Sequence, residues 1–192
     1  LGQSKPYENV PPSIDTSVFS PAGRSVGNGS EIRLGYVGRI DENKNVTFIL
    51  SVAEHLHRTG QPVTLSVAGD GSLLAALRDR VRVSPIRDSV TLLGPVAHAD
   101  TADFLRGVDV FMMASRVEGL PTALLEAMAC GCAVVVPDLP GILEAVTDGA
   151  TGVVYSEFDA HQVARTVKDA WDRRATLSAA ASRHVRSAYR AQ

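Results

Sequence analysis

Ile32-Arg33-Leu34-Gly35-Tyr36-Val37 is a short apolar run, Val46 to Arg58 repeats apolar residues at helical intervals, and Val63-Thr64-Leu65-Ser66-Val67-Ala68 is a second apolar run. The helical stretch places Val46, Ile49, Leu50, Ala53 and Leu56 on one face, while the runs on either side are too short for helices and rich in β-branched residues. This is a strand, a crossover helix and a second strand. Working outward, Val90 to Leu93, Val108 to Met113, Ala133 to Val136 and Gly152 to Tyr155 read as further strands. Ser72 to Val83, Thr101 to Leu105 and Thr122 to Ala129 read as helices between them. Several strands are apolar on both faces, which is favourable only when helices cover both sides of a mostly parallel sheet. The expected fold is α/β: a Rossmann-like, doubly wound sheet of about six strands with helices on both faces.

The chain has 192 residues, 45% apolar and 21% charged, enough to bury a core of its own. From residue 1 to about 30 it is rich in Pro, Ser and Gly without a sustained period and reads as a linker or lead-in. Residues 31–175 carry the strand and helix alternation. Asp159 followed by Gln162 has capping-box form and opens a helix through about Trp171, and an Ala-rich helix within 176–192 finishes the chain. A net charge of −2, with scattered Lys and Arg, argues against a nucleic-acid partner. No apolar run is long enough to span a bilayer and no signal pattern opens the sequence, so a cytoplasmic module is expected. The only cysteines, Cys130 and Cys132, are too close to bridge without strain and too few for a zinc site, so they read as buried thiols.

In an open parallel sheet, ligands settle outside the carboxyl ends of the strands, so the loops there hold the chemistry. The first, Gly38-Arg39 through Lys44, puts two cations where a pyrophosphate can be held. The second, Gly69-Asp70-Gly71, is a tight turn into a helix whose first N–H groups suit an anion. The third is Glu118-Gly119-Leu120-Pro121-Thr122, running into a helix that carries Glu126. Glu126 lies eight residues beyond Glu118 and on the side of Thr122, so both carboxylates can face one ligand. Cations, a helix N-terminus and two carboxylates together match a nucleoside diphosphate sugar. Taken singly, each group also has a plain reading as a solvated loop charge or a helix-start charge. A glycoside hydrolase also needs two carboxyl groups, but gains nothing from Arg39, Lys44 or an anion-binding helix start.

In order, these loops resemble the C-terminal domain of retaining glycosyltransferases of the two-domain GT-B fold, family 4 type. The similarity runs from about Val10 to Asp159: Val10 to Pro21 resembles the inter-domain linker, followed by Gly38-Arg39 with Lys44, Gly69-Asp70-Gly71, Val90 to Gly94, and Glu118 with seven residues before Glu126. The last motif, continued by Ala127-Met128-Ala129-Cys130-Gly131, is the most specific. The resemblance implies one half of a GT-B enzyme, a hexosyltransferase of carbohydrate biosynthesis using a UDP-, GDP- or ADP-sugar, with no cofactor and no metal. It implies that Gly38, Arg39 and Lys44 hold the donor phosphates, with Gly69, Asp70 and Gly71 at the donor site. Glu118, with Gly119, Leu120, Pro121 and Thr122, would meet the sugar and distal phosphate, and Arg39, Lys44 and Glu118 would be the catalytic set. Glu126 would accept hydrogen bonds from the ribose, and Thr91 and Leu92 would lie against the base.

The resemblance also implies an N-terminal domain carrying the acceptor site and any membrane association, without which this chain is an inactive fragment. Asn45, Ser13 and Cys132 depart from the family's usual Gly, Gly and Pro. His55, His57, His98, His161 and His184 read as surface residues. Two other readings use the same fold: the half of a sugar-nucleotide epimerase or phosphorylase, and a non-catalytic interaction domain with a relic pocket.

Overall fold

The structure, a computed structural model, describes residues 12–25 and 29–191; the remainder of the linker resemblance, Val10 and Pro11 included, lies outside them. Six strands form one sheet in the order β3-β2-β1-β4-β5-β6, and every pairing is parallel. They are β1 (Ile32–Val37), β2 (Val63–Ala68), β3 (Val90–Gly94), β4 (Val110–Met112), β5 (Ala133–Pro137) and β6 (Val153–Tyr155). Between and after them come α1 (Val46–Arg58), α2 (Leu74–Arg82), α3 (His98–Arg106), α4 (Thr122–Ala129), α5 (Pro140–Leu143), α6 (Ala160–Asp172) and α7 (Arg174–Ala188). The sheet is doubly wound: successive strands step outward from β1 on one side, and from β4 on the other.

The period-2 geometry of the strands divides the core into two layers. Val110 and Met112 of β4 join Ile32, Leu34, Leu65 and the inner faces of α1, α2 and α6, whereas Phe111 and the following Met113 join α3, α4 and α7 on the other face. All three residues of β4 and all five of β5 are buried, as continuous apolar strands covered on both sides require. Fully burying one such side chain contributes roughly 1.5–3 kcal/mol, so the central strands anchor the fold.

Several elements depart from the sequence expectation, β4, α2 and α7 among them by one or two residues at their ends, and three departures have a readable physical reason. Helix α3 starts at His98, before the expected Thr101, because Ala97 is its extended N-cap and no side chain caps it, leaving no polar signal to read. The short helix α5 has no counterpart in the sequence reading; Pro140 at its first turn sets φ but its four residues carry no period. At α6 only half of the capping box forms. Asp159 accepts from the Gln162 N–H at 2.8 Å, while the Gln162 amide turns to Glu157.

The proline-rich segment before β1 packs as well as connects. Ile14 and Phe19 are 2% exposed, Ile14 bridges to Arg190 beyond α7, and Arg24 reaches the Val108 carbonyl and Asp109. Asp109, 4% exposed, is also held by Arg33, tying this segment to the start of β4. Helix α7 packs on α4 and β5. Among the described residues no helix is long and apolar enough to cross a membrane.

Candidate functional site

The strand order reverses between β1 and β4, and the loops that leave their carboxyl ends separate there to open a crevice. A cavity of about 380 Å³ lies in it, lined among others by Gly38, Arg39, Lys44, Glu118, Pro121 and Thr122. Its floor is Tyr36, Phe111 and Met113 from the ends of the two strands.

Lys44 and Glu118 meet across this cavity. The Lys44 ammonium donates to Glu118 Oε1 from 74 residues away, with both side chains largely buried at 21% and 10% exposure. Asn43 makes the meeting possible. Its amide donates to the Val117 carbonyl and accepts from the Val117 N–H, each at 3.0 Å, and its own carbonyl accepts from Arg116 N at 2.9 Å. Three hydrogen bonds of roughly 0.5–1.5 kcal/mol each thus clip the β1–α1 loop to the β4–α4 loop. Asp41 shapes the first loop from within, accepting from the Lys44 N–H at 3.0 Å. Asn45, where the resembled family usually has Gly, sits at φ 49° as the N-cap of α1, a left-handed conformation that Asn tolerates better than most residues. The departure therefore keeps the backbone path.

Arg39 reaches the same cavity but faces solvent, 81% exposed, and its guanidinium is held by Asp41 at 2.7 Å. The Tyr36 hydroxyl donates to the Arg39 carbonyl at 2.6 Å, fixing the loop from below. Burial, reinforced by the Glu118 and Asp41 charges, pushes the Tyr36 phenol well above its ordinary range, so it stays a neutral donor.

The Gly69-Asp70-Gly71 turn lies directly on this loop. A Cβ on Gly69 would stand 1.8 Å from the Gly38 carbonyl oxygen, and one on Gly71 would stand 2.3 Å from that of Ile40. Gly38 N donates to Ala68 O, Ile40 N to Asp70 O and Leu73 N to Ile40 O, so the two loops are stacked backbone on backbone. Close packing gives both glycines a structural reason independent of any ligand. A second cavity of about 340 Å³ opens beside the turn, sharing Val37, Gly38 and Arg39 with the first and bounded by Gly69, Asp70, Pro95 and Val96.

Pro121 is the extended N-cap of α4, and the first-turn N–H groups of the helix, which have no carbonyl four residues back, lie at the cavity rim. The loop before it is backed by α5, since a Cβ on Gly141 would come within 2.5 Å of the Gly119 backbone. Glu126, in the second turn of α4, does not line either cavity. It is 6% exposed, burial raises its carboxyl above the ordinary glutamate range, and His98 Nδ1 stands 3.8 Å away and works against that rise. The His98 ring in turn rests against Phe19 with centroids 5.4 Å apart.

The crevice therefore brings together Gly38, Arg39, Lys44, Glu118, Leu120, Pro121 and Thr122, with Gly69 and Asp70 in the adjoining cavity. Thr91 and Leu92 line neither; Thr91 is exposed, Leu92 packs toward the core on edge strand β3, and the rim beside the turn is Pro95 and Val96. Sequence reasoning did not single out Asn43, Tyr36, Asp41 or Gly141. Only Asn43, directly beside the basic pair, carried a signal, as an amide next to a helix start. Among the described residues no group of three or more His, Cys, Asp or Glu side chains clusters as metal ligands would.

An all-parallel sheet wound in this order, with a paired cation and carboxylate over its switch point, defines a doubly wound α/β domain whose ligand cleft is built by the β1 and β4 loops. The chain belongs to the family of glycosyl transferases group 1, whose model matches residues 31–173. It is 31% identical over 190 residues to the D-inositol 3-phosphate glycosyltransferase of Mycobacterium bovis strain BCG, covering 92% of this chain and 39% of that protein. The chain spans about two fifths of the length of the curated relatives it matches. Its fold is that of GT-B domains. It superposes with a TM-score of 0.79 and 22% identity on the C-terminal domain of the group 1 glycosyl transferase LpcC from Francisella tularensis, covering 94% of this chain and all of that one. It also superposes on Anabaena HepE in complex with UDP and glucose, with a TM-score of 0.80, 18% identity, and coverage of 93% and 51%.

Proposed function

We propose that this chain binds the nucleotide-sugar donor of a retaining, family 4 type glycosyltransferase, and that the full protein transfers a hexosyl group from it to an acceptor with the anomeric configuration kept. The observation that carries this reading is the Lys44–Glu118 pair, a cation and a carboxylate from different loops held over the switch point and facing one cavity. A donor offers both partners at once: diphosphate oxygens for Lys44, and sugar hydroxyls for Glu118. The first-turn N–H groups of α4 add donors for the distal phosphate. Arg39 joins by exchanging Asp41 for the diphosphate, a short swing of an exposed side chain. Glu126, buried beside His98 and outside both cavities, is assigned the ribose hydroxyls by the family resemblance alone, and the cavity between Gly69, Asp70, Pro95 and Val96 has room for part of the base.

As the anomeric C–O bond breaks, negative charge grows on the departing diphosphate, where Lys44, Arg39 and the α4 N-terminus are placed to stabilise it. The acceptor oxygen bonds to the anomeric carbon on the same face, and its proton passes to the leaving phosphate oxygen. All the positive charge this scheme uses is protein-borne, so it assigns no role to a metal ion. A UDP-sugar is the donor of first choice, since the structurally similar HepE carries UDP. A cytoplasmic setting suits two buried, unbridged thiols.

Calorimetry with UDP, GDP and ADP at millimolar concentration tests the reading. One of the three binds, and Glu126→Ala weakens it by roughly 1.5–3 kcal/mol, the usual worth of hydrogen bonds to a charged group. Absence of binding by all three refutes the donor site.

A further inference from the structure

A separate cavity of about 390 Å³ lies at the other end of α1, where the chain turns into β2. Helix α1 and its turn contribute His55, Thr59 and Gln61 to its wall; α6 contributes His161, Arg165 and Lys168. None of these is part of the donor cleft. The two imidazoles lie against each other, with centroids 4.8 Å apart and planes 39° apart, and the Arg58 guanidinium stands 3.4 Å from His55 Nδ1. Among the described residues, none that lines it is acidic. Among the described residues, His55, Arg58, His161 and Arg165 have no carboxylate within 4.0 Å. Lys168 is paired along its own helix with Asp172 at 2.6 Å.

Four basic groups from two helices thus line one concave surface, with Arg58 beside His55 behind its wall. The helix end that would repel an anion is blunted, because the His55, Leu56 and His57 carbonyls already accept from the N–H groups of Thr59, Gln61 and Gly60. We propose that this cavity binds a phosphate group, carried by a small phosphorylated metabolite or by a lipid headgroup, through Arg165, Lys168 and the His55–His161 pair. A phosphate suits the arrangement better than a carboxylate. It brings up to two charges and three acceptor oxygens to several separate cations, where a carboxylate is satisfied by one guanidinium. The volume falls in the range of small-ligand pockets, roughly 300–1,000 Å³.

The site should strengthen as pH falls. Burial, then the neighbouring His161 and Arg58 charges, hold the His55 imidazole below its ordinary value, with Asp159 opposing and Arg165 adding to the fall. His57 lies on the same helix, and Asp172 faces Lys168. An anion in the cavity favours the protonated His55 imidazole, so by linkage its affinity rises as that ring protonates.

Sulfate, whose charge is constant across the range, isolates this effect. The 192-residue chain is titrated with sulfate at about pH 5.5 and about pH 8, on either side of histidine titration, and the imidazole proton resonances are followed by NMR. The His55 and His161 signals should shift saturably while His184 stays still. Affinity should rise about tenfold for each unit by which binding raises a histidine pKa. Arg165→Glu, an exposed change checked by thermal melting, should weaken binding at least tenfold, and His55→Ala should flatten the pH dependence. Lys44→Ala, which weakens any sulfate held in the donor cleft, should leave the His55 and His161 response intact and so separates this proposal from the donor reading.

The phosphate source is then assigned by two arms, glycerol phosphate in solution and vesicles of phosphatidylcholine with about a fifth phosphatidic acid. Either arm, if lost in Arg165→Glu, supports the site and names its ligand. Shifts that chloride reproduces at equal ionic strength, a response unchanged in Arg165→Glu, or binding in neither arm overturns the proposal.

Discussion

Glu118→Gln separates the two roles given to the Lys44–Glu118 pair, because it keeps the shape and one acceptor oxygen while removing the charge. In the free chain the Lys44 ammonium is already occupied by Glu118 Oε1, so a diphosphate must compete for it. The Lys44 ammonium still donates a charge-assisted hydrogen bond to the amide oxygen of Glu118→Gln, so what is lost is the ion-pair attraction, worth about 1 kcal/mol for a partly exposed pair. Replacing the carboxylate by an amide should therefore release about 1 kcal/mol of competition, and it also removes a negative charge beside the diphosphate. A nucleoside diphosphate without sugar should bind about fivefold tighter, since 1.4 kcal/mol corresponds to tenfold. The matching nucleotide sugar should gain less or lose, because its hydroxyls lose a charged acceptor. The quantity to measure by calorimetry is the ratio of the two dissociation constants in wild type and variant. With the pair only 21% and 10% exposed, loss of the charge should also cost about 1 kcal/mol of stability, above the floor for surface pairs, which thermal melting reads. If the variant binds the bare diphosphate more weakly than wild type, Lys44 is not shared between carboxylate and phosphate and the reasoning fails.

Glu126→Gln should raise the melting temperature by a few degrees near neutral pH while weakening donor binding. Burial raises the folded-state pKa of this carboxyl, so its stabilising contribution is present below the ordinary glutamate value and lost as pH rises through the raised one. The gain should accordingly vanish in acid, and a variant that is less stable at neutral pH speaks against a charge strained for binding. Gly69→Ala places a methyl 1.8 Å from the Gly38 oxygen at φ 145° and should cost at least about 3 kcal/mol in urea denaturation; a midpoint within error of wild type would show that the loops can part. Cys130 and Cys132, buried and pushed up to about 12 and about 11 chiefly by burial, should resist alkylation at neutral pH and react once the chain is unfolded. Labelling of the folded chain would show that the α4–β5 turn opens.

Most of the fold was legible because its signals are local. Continuous apolar strands such as β5 and the 3.6-residue period of α1 mark their own secondary structure, and α1, β1, β2 and α4 match their sequence-read bounds. Helix α3 began early and α5 went unseen where no cap or period existed to read. In the site, Lys44 and Glu118 stood out by residue type and loop position. Asn43 and Gly141 did not, because their work is done on Val117 and Gly119, far along the chain.

By itself the sequence determined the alternation of elements, which faces are buried, and that basic and acidic groups sit in loops after strands, since each follows from neighbours a few residues apart. Only tertiary structure decided that Lys44 and Glu118 touch, that Glu126 is buried beside His98, and that the histidines of α1 and α6 share a cavity. Those meetings depend on strand order and on helix packing across the sheet. Both are fixed by the cooperative burial of the whole core, which no local period encodes.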